Sequence, residues 1–155
     1  LYGSAKQVDS VDSSKKAVEL TDTNVRLNFG ETGTHRSFAT DTFDFLRETS
    51  YIYDIIILDP PAFAKHQPAL KNALQAYKRL NLAALNRLKK GGLLFTFSCS
   101  QAVNRGAFQN AVFSAAAISK RNVRIIHRLG QPADHPVSIY HPEGDYLKGL
   151  VLQVE

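Results

Sequence analysis

The sequence contains no methionine and only one cysteine, Cys99, in 155 residues. A lone thiol cannot close a disulfide within the chain, which excludes a disulfide-stapled framework and points to a reducing cytoplasm. Long apolar runs are absent too. None approaches membrane-spanning length, so no membrane partner is expected. No basic-then-apolar secretory leader, internal repeat or low-complexity stretch can be read. The start at Leu1 and the lack of methionine lead to the expectation that the chain is a piece of a longer protein.

What the chain does contain is a hydrophobic fraction of 44%, which excludes disorder and suits one domain with a real core. Nineteen Lys and Arg against fourteen Asp and Glu give a formal charge of +5. That balance suits a polyanionic partner such as RNA. Lys65, Lys71, Lys78, Arg79, Arg87, Arg105 and Arg128 are the candidate phosphate contacts.

Strand and helix signals alternate. Gln7 to Val11 reads as a strand, closed by Asp12 and the helix-capping Ser13 and Ser14. Ala17, Leu20, Asn24 and Leu27 follow at helical spacing. A strand is expected over Arg36 to Thr40, a helix over Asp41 to Glu48, and a strand over Tyr53 to Leu58 that runs into Asp59-Pro60-Pro61. Pro68 to Lys90 reads as one long helix with Leu74, Tyr77, Leu85 and Leu88 in a stripe around Asn81. Lys89-Lys90-Gly91-Gly92 would close that helix. A strand over Leu93 to Ser98, a helix from Arg105 to Lys120 and a strand over Val123 to Leu129 come next. Gly130 to Gly144 is a loop with three prolines, and Tyr146 to Val154 is a final strand. Two closing strands without a helix between them imply an α/β, mostly parallel sheet with one antiparallel strand near its edge. The order resembles the Rossmann-like sheet of class I S-adenosylmethionine (SAM) methyltransferases, read from their second strand onward.

Chemistry in open parallel sheets collects at the carboxyl ends of strands. Asp12 ends a strand where a carboxylate can accept both hydroxyls of a nucleotide ribose; taken alone it fits an ordinary turn or N-cap aspartate better, and an NAD site would use it the same way. Asp41 stands after the next strand, where an acid can accept from an adenine amine, or simply cap a helix. In Asp59-Pro60-Pro61 the prolines give up backbone donors and hold a carboxylate rigidly toward a flat substrate. A plain strand-ending turn is the alternative. Amino-methyltransferases use a similar tetrad with an aromatic fourth residue, but Ala62 stands there and Phe63 comes one residue late.

Cys99 taken alone could be a small buried hydrophobe. Its place at a strand end, between Ser98 and Ser100 and across from Asp59, points instead to a nucleophile. A thiolate adding to C6 of cytosine makes C5 nucleophilic, while an acid at N3 steadies the adduct.

Five ordered segments carry a family resemblance: Asp59 to Lys65; Tyr77-Lys78 with Asn81; Phe97-Ser98-Cys99-Ser100; Ala133 to Val137; and Pro142 to Leu150. Together they resemble the bacterial large-subunit ribosomal RNA cytosine-C5 methyltransferases, over nearly the whole chain. The resemblance implies SAM as cofactor, with Asp12, Asp41, Thr42, Asp59 and Pro60 as its contacts. It implies Cys99 as nucleophile and Asp59 as the acid facing the target base. Pro61, Phe63, Lys65 and His135 would meet the substrate, ribosomal RNA, and no metal is implied. Tyr146 and Lys148 fall in motifs typical of the family without an assigned role. Family members carry an amino-terminal RNA-binding module, a first strand and a glycine-rich loop, and residues 1–155 are expected to be the catalytic portion that lacks them. A homodimer is a further expectation. Two other functions compete: methylation of a base nitrogen, with Cys99 as packing, and a non-catalytic interaction module on the same fold.

Overall fold

The computed structural model describes residues 1, 3–64 and 67–155. It divides into two compact units, Leu1–Ser50 and Tyr51–Glu155.

The first unit is a βαβα segment. β1 (Val8–Asp12) and β2 (His35–Ala39) pair in parallel, with Asp12 level with Ala39. Parallel neighbours need a crossover, and α1 (Lys15–Phe29) supplies it. Ser14 caps α1 by accepting from the Ala17 N–H, and Gly30 ends it at φ 67°, a left-handed angle that suits glycine. The half-buried positions of α1 include Val18, Thr21, Val25 and Phe29, while Leu20 and Leu27 are exposed. The stripe expected from Ala17, Leu20, Asn24 and Leu27 is therefore rotated by about one residue. Asp9 sits beneath the sheet in a two-pronged pair with Arg36, Nε to Oδ1 at 2.8 Å and an Nη to Oδ2 at 2.7 Å. α2 (Thr42–Glu48) follows β2, and the Phe38 and Phe45 rings meet at 4.9 Å.

The second unit holds the main core. Its sheet runs in the order β3-β4-β6-β5, with β3 (Tyr53–Leu58), β4 (Leu88–Ser98), β5 (Val123–Leu129) and β6 (Lys148–Val154). β3 and β4 are parallel, and β6 is antiparallel to both β4 and β5. The expected mixed sheet with an antiparallel last strand is what forms. α3 (Leu70–Leu85) crosses from β3 to β4, and α4 (Arg105–Ser119) from β4 to β5. Tyr77, Asn81 and Leu85 on α3 and Phe108, Val112 and Ala115 on α4 are buried, as their helical spacing predicts.

The expected helix over Pro68 to Lys90 is corrected at both ends. A short 3-10 turn occupies Gln67–Ala69, and α3 stops at Leu85. Leu88 already belongs to β4, level with Tyr53, and the Tyr53 N–H donates to the Arg87 carbonyl at 2.8 Å. Three residues of β3, from Tyr53 to Ile55, face six of β4, from Leu88 to Leu93. The excess loops out at Lys89-Lys90-Gly91, where Gly91 takes φ 80°. The basic pair and glycines that read as a helix stop make a bulge inside a strand.

Candidate functional site

β3 and β4 lie side by side; β3 ends at Leu58, level with Thr96, and β4 runs on to Ser98. The turn after β3 presents Asp59, Pro60 and Pro61, and the turn after β4 presents Cys99. These four line one cavity of about 600 Å³ with Gln131, Pro132, Asp134, His135, Tyr146 and Leu147. The cavity thus unites the carboxyl edge of two strands with the long loop between β5 and β6. Asp59 is exposed and Cys99 half-buried.

The residues flanking Cys99 fix it. Ser98 and Ser100 are fully buried. Ser98 Oγ donates to the Tyr77 phenol oxygen at 2.9 Å, and Ser100 Oγ donates to the Ala64 carbonyl. Between these two anchors the Cys99 thiol reaches the Pro60 carbonyl at 3.9 Å, a sulfur contact that ties the two turns together. Tyr77 supports the group from below. Its ring meets Phe63 edge-on at 4.8 Å and Phe108 at 5.3 Å. Burial pushes the Tyr77 phenol above the usual tyrosine value, opposed by the hydrogen bonds from Ser98 and the Phe63 backbone.

The loop wall is tied at both ends. Gln131 donates to the Gly144 carbonyl and accepts from the Leu147 N–H at 3.4 Å. Arg105 donates to the Leu129 carbonyl at 3.3 Å and to Asp145 Oδ1 at 2.8 Å. His135 Nε2 and the Tyr146 hydroxyl stand 3.2 Å apart, so the imidazole is steered by a neighbour that can donate or accept. Beneath them lies Lys148, 5% exposed. Its ammonium donates to the carbonyls of Ser100 and Tyr146, each at 2.5 Å. Burial holds the Lys148 ammonium below the usual lysine value, with the negative charge available to Cys99 acting in the opposite direction.

In the first unit, Asp12 and Asp41 stand at the carboxyl ends of neighbouring strands. Asp12 Oδ1 accepts from the Ser14 N–H at 2.7 Å. Asp41 caps α2, its Oδ1 accepting from the N–H groups of Phe43 at 2.8 Å and Asp44 at 3.3 Å. Both carboxylates are exposed and each spends Oδ1 on its local turn, which leaves Oδ2 for a ligand. Thr42 opens α2 beside them.

The structure therefore brings Asp59, Pro60, Pro61, Cys99 and His135 to one cavity. Phe63 is not among the described lining residues; its ring packs on Tyr77 instead. Lys65 lies outside the described residues. Gln131, Asp134 and Leu147 were not singled out as site residues from sequence. Their signal, a proline-punctuated loop between two strands, says nothing about which way the loop folds back. Among the basic candidates, Arg105 is engaged with Asp145 and Arg128 with Gln109. Among the described residues no cluster of His, Cys, Asp and Glu could hold a metal ion, and no helix is long and apolar enough to cross a membrane.

Comparisons with known proteins agree with this architecture. The chain is 40% identical over 157 residues to a ribosomal RNA large subunit methyltransferase I from Alteromonas mediterranea, covering 99% of the chain and 40% of that protein. It is 42% identical over 156 residues to the protein of the same description from Tolumonas auensis, covering 99% of the chain and 39% of that protein. It thus spans about two fifths of the length of these relatives. Among solved structures, a candidate methyltransferase complexed with SAH superposes with a TM-score of 0.82 at 24% identity, over 98% of this chain and 40% of that one. Residues 2–126 match the methyltransferase small domain family, and the chain belongs to that family.

Proposed function

We propose that the chain is the catalytic portion of a SAM-dependent methyltransferase that forms 5-methylcytidine in large-subunit ribosomal RNA. The observation that carries the proposal is the convergence of Cys99 and Asp59 on one cavity. The large-subunit ribosomal RNA methyltransferases among the relatives support the substrate class, and the SAH-bound structure of the same fold supports the cofactor.

The residues present fit SAM. Asp12 and Asp41 each keep an exposed carboxylate oxygen at a strand end, the chemistry that ribose hydroxyls and an adenine amine call for. Thr42, Asp59 and Pro60 are proposed as further contacts. When bound, SAM supplies an electrophilic methyl group.

The chain's own residues do the rest. Cys99 Sγ forms a bond to C6 of the target cytosine, and the C5–C6 π pair moves toward C5. Asp59 holds a proton at N3 and so offsets the charge that builds in the ring. After C5 is alkylated, its proton passes to solvent water, the C5–H electron pair reforms the C5–C6 double bond and the C6–S electron pair returns to sulfur. Pro60 and Pro61 stiffen the turn under Asp59, and His135 and Pro61 form the substrate-facing wall. A target base inside a duplex has to be unstacked to enter.

The test is nucleoside analysis of ribosomal RNA from a strain lacking the full-length protein. The expected result is loss of 5-methylcytidine, restored by the wild-type protein and not by Cys99→Ala. Loss of an N-methylated nucleoside, with Cys99→Ala fully active, would overturn the proposal in favour of methylation at nitrogen.

A further inference from the structure

Among the described residues, Lys148 is the buried one that carries a formal charge, and it lies directly behind the lining residues Tyr146 and Leu147. It is 5% exposed. Among the described residues no carboxylate lies within ion-pair distance of it; Asp145, which favours its charged form, is engaged by Arg105 at 2.8 Å. A buried ammonium without a counter-ion is costly, and such groups are kept where the charge has a task. Two of its three N–H donors go to backbone carbonyls, of Ser100 and of Tyr146. Those two carbonyls belong to different walls of the cavity. Ser100 directly follows Cys99, and Tyr146 lines the cavity beside His135. The clamp therefore joins the end of β4 to the start of β6, whose strands are already in register at Ser98 and Lys148.

We infer that Lys148 is the positioning residue for Cys99: its two hydrogen bonds lock the turn that carries the sulfur onto the start of β6. This rests on the reading of Cys99 as nucleophile. The other charged or titratable groups around the pair are Asp59, Tyr77, Arg105, Asp134, His135, Asp145 and Tyr146.

The test uses the full-length protein and Lys148→Met, which keeps most of the length of the side chain and removes its charge and its hydrogen bonds. Alkylation of Cys99 by iodoacetamide is followed across pH by mass spectrometry of the Cys99 peptide, beside kcat and KM for RNA. The expected result is alkylation about tenfold slower at pH 7 and kcat reduced, with KM for RNA unchanged. An unchanged alkylation rate overturns the inference, and so does a slower rate with unchanged kcat.

Should Lys148→Met fail to fold, the titration of Lys148 is read by NMR at its side-chain carbon next to Nζ, in wild type and in Cys99→Ser. Its midpoint falls in Cys99→Ser if the two groups are coupled, and an unchanged midpoint overturns the inference. Failure of the nucleophile reading is seen separately, as full methylation by Cys99→Ala.

Discussion

Tyr77→Phe isolates the polar support under the cysteine turn. The substitution keeps the ring, so the edge contacts to Phe63 at 4.8 Å and Phe108 at 5.3 Å survive. Only the phenol oxygen is lost. Ser98 Oγ already accepts from the Ser100 N–H at 3.4 Å and is fully buried, and its proton goes to the Tyr77 oxygen. The Phe63 N–H also loses its acceptor, but Phe63 is half-buried and can turn to water. A buried donor left unpaired costs about 1–3 kcal/mol. With one such donor and one that recovers, the expected loss is about 2 kcal/mol, or roughly 4–8 °C in Tm for a chain of this size. Urea denaturation followed by circular dichroism measures it.

The same variant carries a pH signature. The Tyr77 value is raised on folding, so the stability it contributes is fully present below the ordinary 10.0 and is lost as pH rises through the higher folded value. The difference between wild type and Tyr77→Phe should therefore shrink above pH 10. A cost under about 0.5 kcal/mol at neutral pH, or a difference that grows in alkali, would refute this reasoning.

Other perturbations reach other parts of the account. Asp59→Asn, at an exposed position, should leave the melting curve in place and lower methyl transfer by about 10²-fold or more, measured with labelled SAM. Gly149→Ala drives a methyl to 2.7 Å from Phe97 Cε1 and 2.9 Å from Leu129 Cβ, where β6 is held between β4 and β5. It should destabilise the fold by about 1–3 kcal/mol in a urea titration. Asp41→Ala removes the α2 cap at a cost of about 1 kcal/mol, whereas Asp41→Asn keeps the acceptor. Calorimetry of the full-length protein should show weakened SAM binding in the alanine variant.

The parts of the site that were legible in the sequence are the ones set by local chemistry. A run such as Tyr53 to Leu58 can only be a strand, and a strand followed by Asp-Pro-Pro must stop there. The Leu93 to Ser98 run likewise delivers Cys99 to a strand end, and parallel pairing does the rest. Lys89-Lys90-Gly91-Gly92 misled because basic residues and glycine have the same composition in a helix stop and in a bulge. What decided between them is tertiary, the pairing of Leu88 with Tyr53. Leu20 and Leu27 misled for a related reason: helical spacing identifies a stripe but not which neighbour covers it. The loop wall was invisible because Gln131, Arg105 and Lys148 reach it through bonds spanning thirteen to forty-eight positions.

Sulfur and carboxylate border a single hollow, and the proposed chemistry has that sulfur bond to the ring of the target base. Full-length protein incubated with SAM and ribosomal RNA bearing 5-fluorocytidine at the target should accumulate a denaturation-resistant protein–RNA adduct, because fluorine cannot leave as the C5 proton does. Peptide mapping should find the crosslink on Cys99. Methylation of the natural RNA with no trapped adduct, or an adduct on another residue, would contradict it.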